Sequence, residues 1–269
     1  MLFKINRNGR VVNEGSLQKV SKRYLPLVVE IEQKFKDVLG DSLLSIYIRG
    51  SVSTGRAIPG ISDIDAVIIT KSSVTSKKFN AFIKTFASNL SKKYSFVTFV
   101  DLTVIKYADL LEKAEYWGLR TNLKTQSFRL CGKEILKALP DVVPGKIFSK
   151  EMYVYYSKEI HTLEKMFQKG KVDRKYLNEL HPVSFWCVWT MRVVLRSLMG
   201  PIMLYKPAFS PDLETCHDEF VELYPRFKRS INEALILAMN PTSSKKKMER
   251  FLNDFSKEYL IFWKKELNN

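Results

Sequence analysis

Histidine and cysteine are scarce in this chain, three of each in 269 residues. Cys131, Cys187 and Cys216 are odd in number and form no C-x-x-C spacing, so neither a disulfide framework nor a thiolate zinc site is indicated, and a reducing compartment fits. His161, His181 and His217 show no metal-ligand spacing either; His181, just before Pro182, reads as a helix-start residue. Acidic residues are short as well, 28 against 44 Lys and Arg, for a net charge of +16. The excess is spread along the chain, unlike a basic tail. It favours anionic partners such as nucleotides, pyrophosphate or nucleic acid without choosing among them, and it serves solubility equally well. No stretch approaches the roughly 18 apolar residues of a membrane span, and MLFKINRNGR at the start lacks the apolar core of a secretion signal. A soluble, cytoplasmic protein with no membrane partner is expected.

What is present is enough apolar surface for real cores: 45% apolar residues, 12% aromatic. Residues 15–39 carry apolar positions at mixed three and four spacing and predict a helix bent or split by Pro26. SLLSIYI (42–48), DAVIIT (65–70) and SFVTFVDLTVIKY (95–107) read as strands, and residues 77–94 as an amphipathic helix between the last two. After about residue 107 the periodicity is helical throughout, with no further strand. ALPDVVPGKI (138–147) is the best linker. The expected organisation is therefore an α+β protein, a small mixed sheet with helices behind it in residues 1–145 and an α-helical bundle in 146–269, with the active site between them.

One stretch carries chemistry: IRGSVSTGRAIPGISDIDAVIIT. Side chains alternate along a strand, so Asp63 and Asp65 project to one face while Ile64 points to the other. Two carboxylates held together repel, and a hard divalent cation such as Mg²⁺ relieves the repulsion. Taken alone, D-x-D is more often a pair of solvated acids. Gly50 and Ser51 follow a strand, where a missing Cβ lets backbone amides approach a phosphate and a hydroxyl adds a donor. Asp101 lies in an otherwise apolar run, a costly place for a charge unless it is paired, metal-bound or on an exposed edge. In a basic protein and beside Mg²⁺, nearby positive charge is expected to outweigh burial and keep Asp101 ionised near neutral pH.

The Gly-Ser step, the glycine-containing loop, S-D-I-D and the later strand carboxylate together resemble the nucleotidyltransferase superfamily of DNA polymerase β and the aminoglycoside adenylyltransferases, nearest to the streptomycin/spectinomycin adenylyltransferase type. The resemblance covers roughly residues 42–105. It implies that Asp63 and Asp65 bind Mg²⁺, that Asp101 joins them or takes the acceptor's proton, and that Gly50 and Ser51 hold the phosphates of an NTP, with ATP the implied donor. The drug-modifying relatives commonly have Glu where this chain has Asp101. RLCGKEI, MRVVLRSLM and FSPDLETCHDEFVELYPRFKRSINEALILAMNP also resemble bacterial nucleotidyltransferase-domain proteins.

In the helical half, Arg192 and Arg196 are four apart and so share one helix face, where they can clamp a triphosphate or simply pair with neighbouring acids. Arg49 and Arg56 flank the Gly-Ser turn and can act similarly or remain solvated. Lys245, Lys246 and Lys247 read as the start of the last helix rather than as a nucleic-acid contact. Trp186, Trp189, Tyr153, Tyr155 and Tyr156 can stack a ring but suit a core better. The expected acceptor is a hydroxyl-bearing small molecule. A polycationic drug wants an acidic pocket, and the helical half offers only Glu214, Asp218, Glu219 and Glu222. Nucleotide addition to RNA such as a tRNA end, which the charge favours, and a catalytically silent nucleotide-binding module are the alternatives.

Overall fold

The computed structural model describes residues 1–74, 76–169 and 183–269; His181 lies outside them. The chain divides into two units, one of Val12–Val142 and one of Met1–Val11 with Val143–Asn269. The first eleven residues thus belong with the helical unit. Phe3 donates its amide to the Phe209 carbonyl at 2.9 Å and packs edge-on against the Phe209 ring. Contacts across two hundred residues leave no mark on local periodicity.

In the sheet unit, α1 (Leu25–Leu39), β1 (Leu43–Arg49), α2 (Gly50–Thr54), β2 (Ile64–Thr70), α3 (Lys77–Lys93), β3 (Val100–Lys106), α4 (Tyr107–Glu112), α5 (Trp117–Gln126) and β4 (Ser127–Gly132) follow one another. Pro26 does not bend a longer helix: it sits in the first turn of α1, where its missing N–H has no intrahelical carbonyl to lose. Strand order is β3-β2-β1-β4, with β2 and β3 parallel and the other pairs antiparallel. The expected mixed sheet is present, with one strand more than the sequence suggested. β4 begins at the residue after α5 ends, with no Gly, Pro or Asn between them, so a periodicity window straddles both.

Strand alternation sorts the core into two layers. Ile46, Ile48, Ile64, Ala66, Ile68, Val100 and Leu102 meet Leu27, Ile31 and Phe35 of α1 and Leu90 of α3 on one face. Tyr47, Val67, Ile69 and Ile105 meet Leu110 of α4, Leu123 of α5 and Leu139 on the other. Helices therefore cover both faces, not one. The second cover stops short of the residues that end β1 and begin β2 and β3.

The helical unit holds α6 (Lys146–Lys169), α7 (Val183–Ser197), α8 (Met199–Ile202), α9 (Leu213–Leu223), α10 (Lys228–Met239) and α11 (Lys245–Asn268). α6 packs on α7 and α11, and α7 on α10. Ser244 caps α11 by accepting from the Lys247 amide at 3.2 Å, so the lysine triplet opens that helix. Trp263 is fully buried, with Tyr153 at 5.3 Å and Tyr259 at 5.7 Å between ring centroids. Its indole N–H donates to the Ser149 hydroxyl at 3.2 Å, which donates in turn to the Gly200 carbonyl at 2.7 Å. Trp186 is buried and Trp189 half open; burial pushes the Tyr156 hydroxyl up to about 12. Among the described residues, no helix is long and apolar enough to cross a membrane.

Candidate active site

β2 and β3 run parallel in a register that sets Asp65 directly beside Asp101. β1 runs antiparallel on the other side and sets Arg49 opposite Asp65. Residues in register share a face, and this is the face of Tyr47, Val67 and Ile69, continued past its helical cover. The three side chains meet there. Arg49 Nη2 lies 2.8 Å from Asp65 Oδ1 and 3.4 Å from Asp101 Oδ2, so one guanidinium nitrogen serves both carboxylates. The Thr103 hydroxyl donates to Asp101 Oδ1 at 3.3 Å. Arg49 and Asp65 are largely enclosed, at 18% and 15% side-chain exposure, whereas Asp101 is 39% open.

Asp63 stands one residue before β2, in the loop that leads into it. Its charge acts on Asp101. Burial is the largest influence on Asp101 and raises its pKa, the negative charge of Asp63 adding to the rise, while Arg49 and Thr103 pull the other way. Among the protein's own groups burial thus outweighs the nearby positive charge, whereas the sequence expectation counted Mg²⁺ as well. The carboxyl faces solvent on one side only, and protein fills its remaining surroundings, so desolvation outweighs one shared guanidinium.

Gly50 makes the corner between β1 and α2 with φ of +77°. A Cβ placed there would lie 2.8 Å from Asp65 Oδ2. The glycine therefore does more than free a turn: the Asp65 carboxylate is held with one oxygen on Arg49 and the other against the bare Cα of Gly50. Ser53 and Thr54 fix the corner by donating to the Gly50 carbonyl at 2.8 and 3.1 Å, and the Ser53 hydroxyl also reaches the Gln126 carbonyl at 2.6 Å. Ser51 follows at the first turn of α2, whose opening amides have no intrahelical acceptor. Gly50→Ala forces an L residue into left-handed backbone, costing about 1–2 kcal/mol, and displaces Asp65. The sheet unit should stay folded by circular dichroism while nucleotide affinity drops about tenfold or more. Wild-type affinity would mean that Asp65 needs no such seat.

The donor set suits a hard divalent cation. Asp65 and Asp101 already address one cationic nitrogen from adjacent strands, and Asp63 is within electrostatic reach of Asp101. Among the described residues, no three His, Cys, Asp or Glu side chains converge into a ready cage; Arg49 bridges the two strand carboxylates. Arg49 is the site residue that the sequence reading placed only as a flank of the turn. Its signal was its position, last in a strand antiparallel to the one carrying Asp65.

The remaining candidates belong to the helical unit. Arg192 and Arg196 are on α7 of the helical unit, both partly buried. Arg196 Nε donates to the Pro211 carbonyl at 3.2 Å. His161 Nδ1 contacts the Ser157 carbonyl one turn back at 2.6 Å, and His217 lies between Asp218 and Asn232, 2.7 Å from each. On α9, Glu219 pairs with Lys206.

Paired strand-end carboxylates, a glycine-serine corner and a four-stranded mixed sheet define a class, the enzymes that transfer a nucleotidyl group. The family model for the nucleotidyltransferase domain matches residues 28–166, more than half of the chain. The chain belongs to the nucleotidyltransferase domain family. No curated protein sequence matches it. Among solved structures it is similar in fold to the spectinomycin adenyltransferase AAD(9) from Enterococcus faecialis with ATP and spectinomycin, with a TM-score of 0.57, 12% sequence identity, and coverage of 91% of this chain and 99% of that one.

Proposed function

We propose that the protein transfers AMP from ATP to a hydroxyl of a small-molecule acceptor. The acceptor oxygen bonds to the α-phosphorus, the bond from that phosphorus to the bridging oxygen breaks, and pyrophosphate leaves with the electron pair. The observation that carries this reading is the register of β1, β2 and β3, which gathers Arg49, Asp65 and Asp101 on one face beside the Gly50–Ser51 corner. The donor and the size of the acceptor rest on likeness to an enzyme solved with ATP and spectinomycin.

Asp63, Asp65 and Asp101 would hold Mg²⁺, which when bound neutralises phosphate charge and acidifies the acceptor hydroxyl. The chain's own groups do the rest. Asp101, open to solvent on one side, accepts the acceptor's proton. The Ser51 hydroxyl and the opening amides of α2 orient the phosphates. Arg49 stays on Asp65 and keeps that carboxylate from turning away.

The test uses ATP labelled at the α-phosphate with a panel of hydroxyl-bearing small molecules. Label should move to an acceptor, and label at the γ-phosphate should leave as pyrophosphate. Titration with Mg²⁺ and ATP should show binding that weakens about tenfold or more with EDTA or in the variant carrying both Asp63→Asn and Asp65→Asn. Undiminished binding by that double variant would contradict the metal assignment, and transfer of the γ-phosphate would replace the reaction with a kinase-type one.

A further inference from the structure

A buried hydroxyl lies beside this site with nothing to bond. Tyr24 is 1% exposed, and its hydroxyl has no hydrogen-bond partner among the described residues. Burying a hydroxyl unpaired is costly, and a phenylalanine of the same shape would avoid the penalty. The side chain is firmly placed. The Tyr24 amide donates to the Ser21 carbonyl at 2.8 Å, and its carbonyl accepts from Val28 at 3.1 Å at the start of α1. The ring meets Phe96 edge-on at 5.0 Å.

Phe96 connects that ring to the loop carrying Asp63. Its carbonyl accepts from the Gly60 amide at 2.7 Å, the Ser62 carbonyl accepts from Thr98 at 3.1 Å, and the Phe99 carbonyl accepts from Ile64 at 3.0 Å. These bonds zip residues 60–64 to 96–99, with Asp63 inside the zipped stretch. Burial is the largest influence on the Tyr24 hydroxyl and raises its pKa, Arg23 comes next and lowers it, and the charge of Asp63 raises it, as it does that of Asp101. The unpaired hydroxyl and Asp101 thus both lie within electrostatic reach of Asp63, in the loop that Phe96 helps to hold.

We propose that Tyr24 is a positioning residue of the nucleotide site, its hydroxyl reserved as a donor to the Asp63 carboxylate in the nucleotide-bound protein. The hydrogen bond fixes Asp63 from below, as Arg49 fixes Asp65 from across the sheet. The orphan hydroxyl is then a cost carried by the empty enzyme and removed on loading. This rests on the nucleotidyl-transfer reading above.

The experiment compares wild type, Tyr24→Phe, Asp63→Ala and the double variant by thermal melting without ligand and by Mg²⁺·ATP affinity. Tyr24→Phe should melt at or above the wild-type temperature yet bind about tenfold more weakly. Asp63→Ala should also bind weakly, and adding Tyr24→Phe to it should cost nothing further, because the hydroxyl acts through Asp63. Wild-type affinity in Tyr24→Phe, a lowered melting temperature, or losses that multiply in the double variant would each overturn the proposal. A wild-type protein that binds no Mg²⁺·ATP would instead remove the functional reading, and this proposal with it.

Discussion

Asp101→Asn should lower turnover by at least about 10²-fold, the usual loss on removing a general base, while ATP binding changes little. Asparagine keeps the size and the contact with Thr103 but gives up both the negative charge and the proton acceptor. The fold should not suffer. Arg49 retains its shorter contact, the 2.8 Å one to Asp65, and a partly buried carboxyl whose pKa is raised mainly by burial loses a charge it holds at a cost. Asp101→Glu should restore part of the activity, since the resembling adenylyltransferases commonly carry Glu there. The measurement is nucleotidyl transfer, or pyrophosphate release where no acceptor has been found, for the three proteins at matched ATP saturation. Near-wild-type turnover by the Asn variant would return Asp101 to the role of a strand-end acid that merely pairs with Arg49.

Gly200→Ala should be the most damaging single methyl in the helical unit. A Cβ there would fall 1.8 Å from Trp263 Cζ2, and that indole is fully buried between Tyr153 and Tyr259 with its N–H spent on Ser149. The ring has no room to step aside, and moving the backbone of α8 breaks the bond from Ser149 to the Gly200 carbonyl. Overpacking of this severity costs about 3 kcal/mol or more, which should appear as a marked fall in the melting temperature of that unit. Trp263→Phe placed in the Gly200→Ala background removes the clashing atoms and should recover part of the loss. An alanine variant as stable as wild type would show that the contact between α8 and α11 yields more readily than its enclosure implies.

The sheet's central strands were legible because their apolar runs are short, β-branched and set apart by turns; of the D-x-D pair only Asp65 lies in β2, Asp63 standing in the loop before it. Other features were hidden for definite reasons. β4 was lost because α5 passes into it without a break. Pro26 was read as a bend because its place in a helix is visible only when the helix start is known, and the start here is Leu25. Arg49 looked like a loop residue until strand pairing set it against Asp65 and Asp101. The balance at Asp101 turned on how much protein surrounds it, which no local window of sequence contains. Tyr24 was not singled out within residues 15–39, and its unsatisfied oxygen is what distinguishes it.

The chain's division into units has a consequence for how the protein is made. Residues 12–142 form one uninterrupted stretch, so every strand of the sheet is available once that stretch has left the ribosome, and its closures are short in sequence. The helical unit is split. Phe3 emerges early but meets Phe209 only after the intervening chain has been synthesised, and Ser149 waits for Trp263, which emerges later still on the last helix. Until Phe209 emerges, the contacts that Phe3 and Phe148 make with it are unformed, while the sheet unit is already complete. Vectorial synthesis thus separates the two maturation events in time, and the period of greatest exposure to aggregation belongs to the helical unit rather than to the unit bearing the carboxylates.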